Sequence, residues 1–301
     1  MFKKIKPWIS AFRLRTLPLS ISGIVIGACL AHHNGAFNVY VFLIAVLLTI
    51  SLQILSNLAN DLGDGVKGTD NEERVGPQRA IQSGAISEDQ MMLAIKNNIL
   101  IVAGLTVLLI YTALGVHHLF LSLLFLVLAG LSIYAAISYT VGESAYGYKG
   151  LGDIFVFIFF GLVSVGGSYL LFTQRIDHHI FLPAIALGLL SVGVLNLNNM
   201  RDIETDERSK KITLAVKLGK KRAKQYHLFL IGSAILVSSI FGLLYFSSFY
   251  NLLFMIAYVP LIIHMKKISN ASIPNDFDSQ LKVLALTTFL FSVLLGIGYI
   301  M

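Results

Sequence analysis

Long apolar stretches alternate with shorter polar segments along the whole chain. Nine of the stretches are close to the roughly 17 to 25 residues that an α-helix needs to cross the hydrocarbon core of a bilayer. The pattern therefore predicts an all-α protein, a polytopic membrane bundle of nine transmembrane helices. The predicted helices cover residues 17–32, 39–60, 94–114, 119–141, 152–173, 180–200, 224–246, 249–265 and 281–300.

The composition supports a membrane protein. Hydrophobic residues make up 56% of the 301 residues and charged residues 13%, and the mean hydropathy is +0.77. These values lie outside the range of soluble globular domains. No linker, low-complexity tract or change in composition divides the sequence, so we expect a single transmembrane domain over residues 1–301, with the lipid bilayer as its surroundings.

Basic residues orient the predicted helices, because cytoplasmic loops of membrane proteins carry an excess of Lys and Arg. Of the 23 basic residues, 22 precede the first predicted helix, lie between helices 2 and 3, 4 and 5, 6 and 7, or 8 and 9, or stand within the first three residues of helix 3, 7 or 9. The opposite loops contain Arg175. A nine-helix bundle with a cytoplasmic N-terminus explains this distribution. The net charge of +7 then reflects orientation and attraction to anionic lipid, and nucleic-acid binding is not indicated.

The N-terminal segment predicts two elements. Residues 2–12, with Trp8, have the pattern of an interfacial helix on the cytoplasmic surface. The basic start, a short apolar run and Cys29 loosely resemble a secretory signal. The charged stretch up to Arg15 and the helix entry at Pro18 favour a first spanning helix instead.

Two acidic clusters stand at the cytoplasmic ends of the second and sixth predicted helices. The first runs over residues 57–64, with Asp70 beyond it, and the second over residues 198–206. Within each cluster two aspartates lie three or four residues apart, a spacing that places both on one face of a helix. These aspartates are Asp61 and Asp64 in the first cluster and Asp202 and Asp206 in the second.

The clusters predict a magnesium site. Acidic solvated loops are the simpler explanation of a lone pair of aspartates, but these clusters begin inside apolar helix ends and recur at equivalent topological positions. A carboxylate at the centre of a spanning helix costs about 2.5 to 3.5 kcal/mol. Mg²⁺ is commonly held by a few carboxylates together with water and substrate phosphate oxygens. We expect Asp61, Asp64, Asp202 and Asp206 as ligands, with Asn57, Asn60 and Asn198 completing or orienting the ion shells.

Basic and aromatic residues accompany the clusters. Cations near a metal-bound diphosphate would stabilise the charge that builds on it as its C–O bond breaks, and tyrosine rings could stabilise an allylic cation. Lys149 is the single basic residue of its short predicted loop. The other candidate cations are Arg74, Arg79, Lys210, Lys211 and Lys217, and the candidate tyrosines, which flank Lys149, are Tyr139, Tyr146 and Tyr148.

These motifs together resemble the UbiA superfamily of intramembrane aromatic prenyltransferases. Its two signatures correspond here to Asn60-Asp61-x-x-Asp64 with Asp70, and to Asp202-x-x-x-Asp206 with Lys210 or Lys211 and Thr213. Within the superfamily the sequence is most similar to the branch that prenylates 1,4-dihydroxy-2-naphthoate. The stretches that carry this similarity are residues 13–18, 53–64, 67–70, 76–79, 146–153 and 198–202.

The resemblance implies a nine-helix bundle with a central cavity that opens to lipid and is capped by the motif loops. It implies Mg²⁺-dependent transfer of a polyprenyl group from polyprenyl diphosphate to 1,4-dihydroxy-2-naphthoate, with loss of diphosphate and CO₂, to form demethylmenaquinone in menaquinone biosynthesis. Arg79, Lys149 and Lys211 would assist at the diphosphate. Gln53, Arg79 and Arg201 would contact the acceptor. The location implied is the bacterial cytoplasmic membrane, with the site loops on the cytoplasmic side and no obligate protein partner.

Three other functions share some of these sequence features. Other aromatic acceptors, such as 4-hydroxybenzoate or homogentisate, fit the same chemistry, and only the resemblance selects among them. A CDP-alcohol phosphotransferase would need an Asp-Gly-x-x-Ala-Arg signature, but Asp64-Gly65 is followed here by Val66-Lys67-Gly68-Thr69. An ion-coupled transporter would hold its acids near the membrane midplane, whereas these acids lie at helix ends beside basic residues.

Overall fold

The computed structural model describes the backbone of residues 2–70 and 76–301, and the side chains of residues 5–70 and 76–301. Within these ranges the chain forms helices and loops without any strand. Nine segments are long and apolar enough to cross a membrane, which confirms the predicted fold class. The α-helices are α1 Phe2–Phe12, α2 Leu17–His33, α3 Val39–Val66, α4 Glu88–Leu114, α5 Leu119–Ser138, α6 Gly152–Val156, α7 Ser168–Thr173, α8 Phe181–Arg201, α9 Ile203–Arg208, α10 Leu214–Leu244, α11 Tyr258–Asn270 and α12 Pro274–Ile300.

Large apolar side chains point outward from the bundle. In α5 only Ala135 is buried, and leucines and phenylalanines such as Phe120 and Leu131 are exposed on it. Such a helix would be unstable as a surface element in water, but lipid solvates it as well as the protein interior does. The chain is therefore a multi-pass membrane protein with α5 at its periphery.

Two apolar clusters fill the two sides of the bundle. The first joins α3, through Leu55 and Leu58, to α4, through Met91 and Ile95. The second is larger and is centred on α8, which packs against α10 and α12. Because the first acidic cluster ends α3 and the second ends α8, each cluster stands at the end of one core.

Helix ends near the site extend beyond the predicted apolar stretches. The helix α3 continues to Val66, six residues past the predicted end, so that Asp61 and Asp64 are helical. The helix α10 begins at Leu214 instead of 224, with Thr213 accepting a hydrogen bond from the Val216 amide. At Gly219 the backbone adopts φ 72° and ψ 163°, which kinks α10 at a residue without a Cβ to oppose a positive φ. Hydropathy missed these turns because they are polar.

The fifth membrane segment contains an eleven-residue π-helix, Phe157–Gly167, between α6 and α7. It packs directly on α8: a methyl group built on Gly161 would lie 2.6 Å from the Ala184 carbonyl oxygen and 2.8 Å from the Gly188 Cα. Small residues at such crossings let helix backbones touch in membranes. The two helices run antiparallel, so residue 152 and residue 201 lie at the same end of the pair.

The N-terminal helix is tied to α3. Trp8 and Phe12 pack against the first apolar cluster, and the Asn57 side chain donates to the Phe12 carbonyl (2.9 Å) and to Thr16 Oγ1 (3.2 Å). The predicted helix over residues 2–12 is confirmed. Its position at the membrane surface, and the cytoplasmic side of the N-terminus, stay predictions.

We expect substitution of Gly161 by leucine to destabilise the bundle, because a larger side chain must separate α8 from the π-helix. Overpacking of this kind costs about 1 to 3 kcal/mol and should lower the midpoint of thermal unfolding in detergent by several degrees. The matched control is Gly130→Leu in α5, where a Cβ meets no atom within 4 Å. Equal midpoints for the two variants would contradict the close crossing.

Candidate active site

Lys211 joins the two acidic clusters. Its Nζ lies 3.2 Å from Asp64 Oδ2 and 3.9 Å from Asp206 Oδ1, and the lysine side chain is only 11% exposed. Asp64 ends α3 while Asp206 lies in α9, so the contact connects segments about 140 residues apart in the chain. The structure therefore brings one aspartate from each predicted motif to a single cation.

Asp64 is also held by a tyrosine. The Tyr148 hydroxyl donates to Asp64 Oδ1 at 2.8 Å, and Thr69 Oγ1 lies 2.6 Å from the same hydroxyl. Since the tyrosine proton faces the carboxylate, the threonine donates to the tyrosine oxygen. Lys67 Nζ stands 4.2 Å from the Tyr148 ring centroid, so a second cation lies beside this carboxylate.

Asp61 faces the loop that follows the first motif. Its two carboxylate oxygens accept the backbone amides of Ala80 (3.2 Å) and Ile81 (3.3 Å), and the residue is 1% exposed. Nearby, Asp70 and Arg79 form an ion pair of 3.6 Å. The first aspartate of the motif thus fixes the loop to α3, while Asp64 faces the second motif.

Asp202 is paired with its neighbour in sequence. Arg201 donates to both oxygens of Asp202, from Nε at 2.7 Å and from Nη2 at 2.6 Å. The same guanidinium reaches Asp278 on α12 at 2.6 Å and Asn198 Oδ1 at 3.0 Å. Bidentate pairing of this kind is strong and orients both groups. The arginine therefore anchors the end of α8 to α12.

The charge balance at the cluster leaves room for a further cation. Burial raises the pKa of Asp206 to about 7; Lys211 opposes this shift, while Asp202 and Asp64 reinforce it. Burial lowers the pKa of Lys211, but Asp64 and Asp206 outweigh it and hold the net pKa above that of an ordinary lysine. The positive charge of Lys211 is thus shared between Asp64 and Asp206 and does not fully neutralise them. Carboxylate oxygens are hard donors, which suit Mg²⁺.

The described residues do not bring three His, Cys, Asp or Glu side chains together as a preformed metal cage. Mg²⁺ sites that work on phosphates commonly use one or two carboxylates and leave the remaining positions to water and substrate. Asp64 and Asp206, which share Lys211, meet that requirement. Asp61 and Asp202 would have to exchange their amide and arginine contacts to act as ligands.

The predicted asparagines and glutamine have other partners in the structure. Gln53 donates to Asn57 Oδ1 at 3.2 Å, and Asn57 in turn holds the N-terminal segment. Asn60 accepts from Thr140 at 3.3 Å, and Asn198 accepts from Arg201. All four therefore position the elements around the site, and these hydrogen bonds do not involve a carboxylate of the motifs.

The predicted tyrosines form one wall beside Lys211. The rings of Tyr139 and Tyr146 meet edge to face with centroids 5.3 Å apart, and Tyr146 stacks on Phe155 at 3.9 Å. Burial raises the pKa of Tyr139, with Lys211 lowering it and Asp64, Asp206 and Asp153 raising it. The ring therefore stands within electrostatic reach of both motifs.

Two predicted cations lie away from this centre. Lys149 is exposed on its loop, where its backbone carbonyl accepts from Lys217 Nζ at 2.6 Å; its side chain is not brought to the carboxylates. Lys210 is also exposed. Arg74 falls outside the described residues.

Some functional candidates could not be identified from the sequence. Thr69 was overlooked although it stands next to Asp70, and Asp278 lies on α12, far from either motif in sequence. The amides of Ala80 and Ile81 carry no side-chain signal at all. Only the fold brings these groups to Asp64, Asp202 and Asp61.

The sequence of the chain matches a known family over most of its length. The model of the UbiA prenyltransferase family covers residues 20–286. The chain belongs to the UbiA prenyltransferase family. Among curated relatives, a 1,4-dihydroxy-2-naphthoate octaprenyltransferase of Haemophilus influenzae is 42% identical over 98% of this chain and 96% of its own. The enzyme of the same name from Escherichia coli is 40% identical over 96% and 94% of the two chains.

Solved structures of the family share the fold. A UbiA homolog from Archaeoglobus fulgidus, bound to DMAPP and Mg²⁺, superimposes with a TM-score of 0.63 over 95% of this chain and 98% of its own, at 16% identity. At that identity the likeness concerns architecture alone. It confirms that the nine helices are arranged as in the family.

Replacing Lys211 by methionine should destabilise the loop between the two motifs. Removal of one partner of a buried ion pair leaves its carboxylates without compensation, and we expect a loss of about 3 kcal/mol in the free energy of unfolding, measured by chemical unfolding in detergent. The control is Lys210→Met at the exposed neighbour. If both variants unfold like the wild type, Lys211 does not carry the link between the motifs.

Proposed function

We propose that this protein transfers a polyprenyl group from polyprenyl diphosphate to 1,4-dihydroxy-2-naphthoate, with release of diphosphate and CO₂, and so forms demethylmenaquinone. The observation that carries the proposal is the lysine-bridged pair of carboxylates, Asp64 and Asp206, which joins both family motifs at one end of the bundle. The names of the two bacterial relatives support the choice of acceptor.

In this proposal Asp64 and Asp206 would hold Mg²⁺, with Asp61 and Asp202 as the further motif carboxylates available to it. When bound, Mg²⁺ would neutralise the diphosphate oxygens and make diphosphate a better leaving group. Lys211 lies between the two carboxylates, where its ammonium group would be within reach of the diphosphate. Lys67, Arg79 and Lys149 are the further cations that we assign to the diphosphate, with Asp70 orienting Arg79.

The prenyl cation then needs a surrounding that does not react with it. The rings of Tyr139 and Tyr146 offer π-electrons beside the leaving group and no strong nucleophile, and a dry pocket keeps water from the cation. The electron-rich carbon of the acceptor that bears the carboxyl group attacks the cation, and loss of CO₂ restores aromaticity. We also assign four amide side chains to the substrate region, because their hydrogen bonds hold the helices and the N-terminal segment around it. They are Gln53, Asn57, Asn60 and Asn198.

The membrane setting follows from the same proposal. The long prenyl chain lies among apolar helices, and the acidic motifs face the cytoplasm, where most basic loops are predicted. We place the protein in the bacterial cytoplasmic membrane, with its N-terminus inside and with no protein partner required for catalysis.

The function is tested in membranes with a radiolabelled polyprenyl diphosphate. We expect labelled product with 1,4-dihydroxy-2-naphthoate and Mg²⁺, and none with EDTA or with 4-hydroxybenzoate. Label on 4-hydroxybenzoate would overturn the acceptor and keep the chemistry. No transfer to either acceptor would overturn the proposal.

Substitution of the motif aspartates tests the metal assignment. Asp64→Asn, Asp206→Asn and Asp202→Asn should each lower turnover by at least about 100-fold, because electrostatic stabilisation of the leaving group is lost. Membrane insertion should be unchanged. Glu204→Gln is the matched control, since Glu204 lies between Asp202 and Asp206 and is exposed. Wild-type rates in Asp202→Asn would remove that residue from the metal site.

Lys149 and Lys211 can be separated by kinetics. Lys211→Met should lower kcat by about 100-fold, as expected for loss of a cation at a leaving group. Lys149→Met should mainly raise KM for the polyprenyl diphosphate, because this exposed lysine can meet the diphosphate only at the rim of the site. An unchanged KM would remove Lys149 from the substrate site.

A further inference from the structure

A further buried carboxylate stands beside the site and belongs to neither motif. Asp153, in the first turn of α6, is 7% exposed. A carboxylate at the start of a membrane-spanning segment is costly to bury and in such proteins often marks a functional position. The roles assigned above to the motifs leave this residue without a task.

Asp153 differs from the motif carboxylates in its partner. The Tyr226 hydroxyl on α10 donates to Asp153 Oδ2 at 3.1 Å. Within residues 5–70 and 76–301, no ion pair joins Asp153 to a lysine, arginine or histidine, whereas Asp64, Asp202 and Asp206 all have one. The partners of the carboxylate are thus the Tyr226 hydroxyl and its own backbone amide, and a carboxylate without a cationic partner keeps lone pairs that can take up a proton.

The residue adjoins the tyrosine wall. A methyl group built on Gly152, the residue before Asp153, would lie 3.0 Å from Tyr139 Cε2 and 3.3 Å from Tyr139 Oη. Tyr139 also interacts electrostatically with Asp153 and with Asp64, Asp206 and Lys211. Asp153 thus follows directly on the residue that packs against this ring.

Its depth in the bundle is also informative. The helix α10 begins three residues after Lys211, and Tyr226 lies seven residues beyond the kink at Gly219, or roughly 10 Å along the helix axis. Tyr226 is therefore further along α10 than the loop that carries Lys211. An acceptor that attacks the first carbon of the prenyl chain must also bind deeper than the diphosphate, because that carbon is one C–O bond further in.

We propose that Asp153 is the base that takes the proton from the acceptor hydroxyl adjacent to the carbon under attack, a role that rests on the proposed function. As the new C–C bond forms, the O–H electron pair moves into the ring to leave a ketone, and the proton passes to Asp153 Oδ1. The carbon now bears both a carboxylate and a neighbouring ketone. Its bond to CO₂ breaks, the electron pair returns through the ring to oxygen, and Asp153 gives the proton back.

The cycle is balanced without any further reagent. One C–O bond of the donor and one C–C bond to CO₂ break, one C–C bond forms, and the carboxylate of Asp153 is regenerated. Tyr226 is assigned a positioning role: its hydrogen bond to Oδ2 holds the orientation of the carboxylate.

The test compares Asp153→Asn with the wild type. Asparagine keeps an oxygen for the Tyr226 hydroxyl but cannot accept the proton, so kcat should fall by about 100-fold or more, the usual contribution of a general base, with KM unchanged for both substrates. Ionisation of the donor should persist, measured as Mg²⁺-dependent exchange of ¹⁸O between the bridging and non-bridging positions of unreacted polyprenyl diphosphate. A wild-type kcat, a loss of this exchange, or a rise in acceptor KM with kcat unchanged would each overturn the proposal.

Two further variants separate chemistry from structure. Tyr226→Phe leaves the carboxylate in place and should lower kcat by less than about tenfold; a loss as large as in Asp153→Asn would mean that the pair is only a tie between α6 and α10. Asp177→Asn is the matched control, because Asp177 accepts from the Tyr169 hydroxyl in the opposite end of the bundle, and it should turn over like the wild type. If the wild type itself fails to prenylate 1,4-dihydroxy-2-naphthoate, the proposed function has failed before any variant is compared.

Discussion

The ion pairs of Lys211 with Asp64 and Asp206 are the interaction on which the site depends. Carboxylates that are withdrawn from water at the edge of a membrane need a positive partner, and here one ammonium group serves two of them. The aspartates come from different helices, each at the end of a different apolar core. The pairs therefore close the bundle at one end and bring the two motifs within reach of a single ligand.

Each of the other polar contacts near this end fixes a different segment of the chain. The Asp61 carboxylate accepts backbone amides of the loop after α3 and so fixes that loop. Arg201 connects α8 to α12, and Asn57 holds the N-terminal segment. Buried polar groups of this kind are stable only when their hydrogen bonds are satisfied, so each contact also sets the position of a helix. Lys211 differs from these groups because it pairs with a carboxylate of each motif.

Most of the architecture follows from the sequence, because nine apolar stretches and the lipid solvent leave few alternatives. The spacing of the motif aspartates locates the two clusters, but the members of each pair have different partners. Asp61 accepts loop amides and Asp202 pairs with Arg201, whereas Asp64 and Asp206 contact Lys211. The sequence did not distinguish their partners: Lys211 and Lys149 look alike in a list of basic residues, yet only Lys211 is buried between the motifs. The helices predicted from the sequence were also too short at these ends. The last turns of α3 and the first turns of α10 are polar, so hydropathy does not detect them.

The contact between Gly161 and Gly188 has a mechanical consequence. Small residues let the backbones of two membrane helices touch, and a larger side chain at Gly161 or Gly188 would have to separate them. The fifth and sixth membrane segments also carry Asp153 and Asp202 at the same end of the bundle. The glycine contact therefore sets the spacing of the two helix ends that bear these carboxylates, although it lies several turns away from both.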